Sequence, residues 1–185
     1  MSLHKNQDKK DPIIRVLLYA DNFMWKLGGL FQVICSACLL VMLLFTAATI
    51  IGRPLGYSAY WIWPWTMVFF VWLSFFGFFA IFVRLKDIRI DFVAKKMGRY
   101  GYPVTRLLSN FCALLVTGVI LKTAPVVFAT SMGGIDGAIL PGGDELFRQA
   151  LSVPLFLSVG LIFLTALIDV LKMLFGLAEN EPEQI

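Results

Sequence analysis

Charge is scarce in this chain. Only 15% of its 185 residues are Asp, Glu, Lys or Arg, against about 25% in an ordinary soluble domain. That is too few to cover a globular surface. Disorder is excluded from the other side, because 59% of the residues are hydrophobic and a disordered segment is poor in them. Histidine is limited to His4 and cysteine to Cys35, Cys38 and Cys112, which leaves no His/Cys cluster with metal-ligand spacing. Strict alternation of apolar and polar residues is missing, so a lipid-facing β-barrel is not indicated. The net charge of +4 does not require a nucleic-acid partner, since membrane proteins retain Lys and Arg on their cytoplasmic side.

Long apolar runs are what the chain has instead. Crossing about 30 Å of hydrocarbon takes roughly 20 apolar residues. Four segments meet that length, at 27–51, 61–83, 104–128 and 150–174. Helices are expected, because every backbone N–H and C=O must be satisfied within the lipid. The expected fold is therefore an all-α membrane protein with four transmembrane helices in a single membrane domain. Residues 1–11 form a polar tail and 175–185 a short acidic tail. The N-terminus does not resemble a secretory signal, since the polar tail precedes an apolar run long enough to stay in the membrane.

Lys and Arg set the orientation. Lys5, Lys9, Lys10, Arg15 and Lys26 precede the first span. Arg84, Lys86, Arg89, Lys95, Lys96, Arg99 and Arg106 lie around the second connection. The first connection holds only Arg53 and the third only Arg148. Both termini and the middle loop are thus expected in the cytoplasm. Between tail and first span, Ile13, Ile14, Leu17, Leu18 and Met24 recur at helical spacing, with Arg15 and Asp21 off that face. Residues 12–26 read as an amphipathic helix in the membrane interface, the alternative being a plain extension of the first span. A second interfacial helix is expected over Ile88–Gly98, ended by its glycine. Lys95, Lys96 and Arg99 would meet lipid headgroups there. The Gly- and Pro-rich stretch before the fourth span reads as turns.

Few residues could carry chemistry. Cys35 and Cys38 have CxxC spacing, but a reactive thiolate is disfavoured in hydrocarbon and packing is the plainer role. Lys122 lies roughly 27 Å along its helix from Val104. Its ammonium is expected to reach the outer interface by snorkelling or to meet a partner. An ion pathway is the less favoured reading. Asp169 sits three residues before Lys172 and is expected to pair with it along the helix. The spans carry no carboxylate at mid-membrane, so autonomous coupled transport has no obvious equipment. Arg53, Trp61, Trp63, Trp65 and Lys122 mark the outer interface. Phe75, Phe78, Phe79 and Phe82 form a bulky stripe that suits lipid or another membrane protein equally well.

Trp72, Gly77, Arg84 and the run Asp87-Ile88-Arg89-Ile90-Asp91 resemble the small membrane (DctQ-like) subunit of tripartite ATP-independent periplasmic (TRAP) transporters. Val153-Pro154 resembles that family's aliphatic-Pro pair at the start of the fourth span. Asp87 stands where the family commonly has His. Trp63-Pro64-Trp65-Thr66 stands where many members have an acidic pair. The resemblance implies no enzyme activity and no cofactor. It implies a scaffold role beside a large elevator-type membrane subunit, with a periplasmic binding protein delivering a small organic acid, such as a C4-dicarboxylate or a sialic acid, for sodium-coupled uptake. The expected location is the bacterial inner membrane. Trp72, Phe75, Phe79, Phe82, Arg84, Arg89 and Asp91 would then form the subunit interface or anchor the cytoplasmic arm. Competing classes are an autonomous small exporter and a membrane thiol oxidoreductase using Cys35 and Cys38.

Overall fold

The computed structural model describes residues 12–56, 60–84, 101–140 and 142–177, with backbone alone for 101–103. The second expected interfacial helix, with Arg89, Asp91, Lys95, Lys96 and Arg99, lies outside the described residues. Four helices dominate: α1 (Pro12–Gly52), α2 (Ile62–Arg84), α3 (Gly101–Thr130) and α4 (Gln149–Leu174). Each is long and apolar enough to cross a membrane. Their bounds follow the four apolar runs closely, except at the start of α1 and α3.

α1 has 41 residues, about 60 Å at 1.5 Å per residue, or twice the hydrocarbon thickness. It is continuous through residues 26 and 27, where the sequence suggests a change from interfacial helix to span. Ahead of its last residue, Gly52, its buried positions are Leu17, Asp21, Met24, Gly28, Phe31 and Cys38. Those spacings of three, four and seven residues define one seam. Asp21 lies within the seam, whereas Ile13 and Val16 are exposed. Of the expected apolar face, Leu17 and Met24 are buried, Ile14 and Leu18 are half-buried and Ile13 is exposed, while Asp21 joins the inward side.

The helices form a row in the order α1, α2, α4, α3, with α1 also touching α4. The core lies between α1 and α2, where Met24, Phe31, Phe79, Ala80 and Val83 pack together with Leu161, Ile162 and Ile168 of α4. Phe31 meets Phe76 at 4.8 Å and Phe79 edge-on at 5.2 Å between ring centroids. Gly28 allows this approach: a Cβ there would sit 3.1 Å from Val83 Cγ1.

The α3–α4 connection is more than a set of turns. Gly134–Ile139 (β1) and Glu145–Phe147 (β2) pair antiparallel, from Gly134 opposite Phe147 to Ile139 opposite Glu145, with an irregularity between. Leu140 N–H donates to Asp144 O at 2.8 Å to close the hairpin. Gly137 and Gly143 take φ of +80° and +89°, which favour glycine. Ala138 is fully buried, and Gly137 lies against Pro64 in the first turn of α2. The strands escape detection in the sequence because β2 has three residues and the glycines dominate the local pattern.

Candidate functional site

Trp72 occupies the middle of α2, and its indole Nε1–H donates to Ala150 O in α4 at 3.0 Å. The reason lies in Pro154. A helical carbonyl accepts from the N–H four residues on, and Pro154 has no N–H to offer Ala150. Trp72 supplies the missing donor from the neighbouring helix. Further along the same pair of helices, Ser158 Oγ–H donates to Phe75 O at 2.5 Å. Two features singled out separately in the sequence, Trp72 and Val153-Pro154, are thus one device that sets the register of α2 against α4.

The second polar anchor joins the ends of α1 and α4. Lys172 Nζ donates to Asp21 Oδ2 at 2.7 Å, and both side chains are buried. Lys172 therefore finds its carboxylate across helices, on α1, rather than one turn back at Asp169. Asp169 is itself buried and engaged in a polar interaction. Sequence reasoning missed Asp21 because it was placed off the apolar face.

Arg84 ends α2 and lies against α1. Its Cζ is 5.4 Å from the centroid of the Trp25 ring, within cation–π range. A Cβ at Gly29 would collide with Arg84 Nη2, so glycine leaves room for the guanidinium on the α1 backbone. Gly28 and Gly29 together seat Val83 and Arg84.

The remaining sequence candidates separate. Phe79 is 0% exposed and contributes to the chain's own core, so its ring is not presented to a partner. Phe75 and Phe82 are half-buried, while Phe78 is exposed. Trp61 packs edge-on against Phe45 at 6.0 Å, and Trp65 lies 6.3 Å from Phe69. Trp61 and Trp63 are exposed at that same end of the molecule, as is Arg53 in the short 3₁₀ turn Arg53–Leu55. Cys35 Sγ lies 3.6 Å from Leu73 O, and Cys38 is buried; both pack between helices. Lys122 is exposed on α3, on the side opposite the buried Arg106, Asn110 and Thr117.

Four apolar membrane-length helices in one packed row define a multi-pass membrane protein. The family profile described as tripartite ATP-independent periplasmic transporters, DctQ component, matches residues 40–176. The chain belongs to this family and is a small TRAP transporter component, not an enzyme. No curated protein and no solved structure is significantly similar to it.

Proposed function

We propose that this chain is the static scaffold of its transporter. It braces a large elevator-type membrane subunit while that subunit imports a small organic acid with sodium, after delivery by a periplasmic binding protein. A C4-dicarboxylate or a sialic acid is the solute class the family suggests. Both termini face the cytoplasm of a bacterial inner membrane, and residues 12–26 continue the first helix past the span on that side. In this arrangement Arg84 and Asp91 hold the cytoplasmic arm, and Lys95, Lys96 and Arg99 contact anionic lipid.

The observation that carries the scaffold reading is the set of polar contacts that join one helix to another. The hydroxyls of Thr117 and Thr165 donate to carbonyls one turn back in their own helices, whereas Ser158 serves Phe75 O, Trp72 serves Ala150 O and Lys172 is paired with Asp21, each across two helices. These three cross-helix contacts fix helices to one another. A transport pathway instead needs polar groups held ready for the solute or ion. Purified chain in liposomes with an imposed sodium gradient should show no uptake of any organic acid. Uptake should appear only when the large subunit and the binding protein are added. Robust uptake by the chain alone would overturn the scaffold reading and favour an autonomous carrier.

A further inference from the structure

α1 carries a second seam, on the face turned away from its own bundle. Val16, Tyr19, Phe23, Lys26, Leu30 and Val33 are all exposed. They recur at alternating steps of three and four residues, and the exposed pattern runs on to Leu44. That is the spacing of a helix–helix seam, about 42 Å long by helical rise. The buried seam of Leu17, Asp21, Met24, Gly28 and Phe31 lies on the opposite side. α1 also stands at an edge of the row, so among the described residues no helix covers its outer face.

Lipid accounts for this face only within the span. Gly28 and Gly29 seat Val83 and Arg84, so Lys26 lies just past the end of the uncharged run of α2, where an exposed ammonium meets the headgroup layer. Val16 is ten residues further along, about 15 Å by helical rise. A tilt of about 20° leaves about 14 Å of that. The headgroup layer is only about 6 Å deep on each side of the hydrocarbon. Even if the Lys26 stem used its full reach of about 6 Å to snorkel, Val16 would stand about 8 Å from the hydrocarbon, outside that layer. Ile13 lies further out still. Both are exposed, at 60% for Ile13 and 68% for Val16, and Arg15 and Asn22 rim the stripe. An apolar stripe with a polar rim, standing in water, marks a contact surface.

We propose that this outer seam of α1 pairs with one long helix of the large subunit that runs beside it from the membrane into the cytoplasm. The inference rests on the scaffold reading above and names the surface through which bracing occurs. Continuity selects the partner. A soluble protein covers Ile13 and Val16 but not Leu30 to Leu44, and lipid does the reverse. Lys26 tells against the other long helix at hand, a second copy of α1. Two copies in one membrane run parallel, and identical seam positions of a parallel pair face each other. Two ammonium groups would then meet at one depth and repel. The partner helix instead carries an Asp or Glu opposite Lys26.

The test uses the full chain co-expressed with the large subunit of its transporter. Photo-cross-linking residues replace Val16 and Val33 on the seam, and Leu115 and Val126 on the exposed face of α3 as controls. Adducts to the large subunit are expected from 16 and 33 and not from 115 and 126. Val16→Ser with Tyr19→Ser should lower recovery of the large subunit with the tagged chain about fivefold or more. Lys26→Gln should lower it about threefold, and Lys26→Arg by less than about 1.5-fold. Thermal unfolding of each variant purified alone should match wild type, because these side chains lie outside the core. Adducts from 16 to lipid alone or to a second copy of the chain, subunit adducts from 115 or 126 alone, undiminished recovery with the double variant, or lost recovery that follows a lowered melt would overturn the α1 assignment and leave the scaffold reading standing. Wild-type chain that never recovers the large subunit would overturn both.

Discussion

The bond between Trp72 and Ala150 O shows how a single side chain can compensate a backbone defect in a neighbouring helix. Pro154 removes a donor, and lipid offers no water to replace it. Trp72→Phe keeps most of the ring and removes only the N–H. It should lower the thermal midpoint by the equivalent of about 1 kcal/mol. Pro154→Ala restores an N–H four residues after Ala150. In that background Trp72→Phe should cost much less, and a thermal-unfolding cycle of the four proteins checks the coupling. Equal losses in both backgrounds would mean that Trp72 acts through packing alone. Both residues were visible in the sequence, but the link between them was not. Nothing in a sequence states which indole faces which carbonyl 78 residues away.

At the scale of the element, α1 is the unusual member. About half of its length exceeds what a bilayer requires, and the excess is held by the Asp21–Lys172 pair at one end. Removing one partner of a buried pair leaves an uncompensated charge, which costs about 3–5 kcal/mol. Asp21→Asn should therefore destabilise the chain by several degrees or more in a detergent melt. The double change Asp21→Leu with Lys172→Met should recover much of the loss, because well-packed apolar residues often replace a buried pair without penalty. Equal damage from the single and double variants would show that the charges are required for themselves. The four spans were legible because hydrocarbon thickness alone dictates their length. The burial of Asp21 within 12–26 was not, because its partner lies on α4, and composition assigns an aspartate to the outside.

Across the whole molecule, the Lys and Arg distribution predicts the sidedness of the chain. Twelve basic residues precede the first span or surround the middle loop, against Arg53 and Arg148 in the other two connections. Reporter fusions at Gly98 and Gly142 should give opposite signals, cytoplasmic and periplasmic respectively. Gly142 is the better hairpin site, because it stands in open space whereas Gly137 packs against Pro64. A periplasmic signal at Gly98 would invert the arrangement. The row order α1, α2, α4, α3 could not be read beforehand. Apolar contacts are non-directional, and four similar hydrophobic helices admit several neighbours for each. The specific selectors, Trp72, Ser158, Asp21 and Gly28, become meaningful only once their partners are known.

That row order places a demand on synthesis. α3 is made before α4, yet α4 must take the place beside α2 while α3 stays outside it. Asp21 waits for Lys172 across 151 residues, roughly 8–30 s at 5–20 residues per second. During that interval Asp21 stands without its ammonium, and the α2 surface around Trp72 and Phe75 has only lipid or the insertion machinery to cover it. Closure of the Asp21–Lys172 clasp is then one of the last events in the birth of the chain, and it reports that the fourth helix has been delivered to its place.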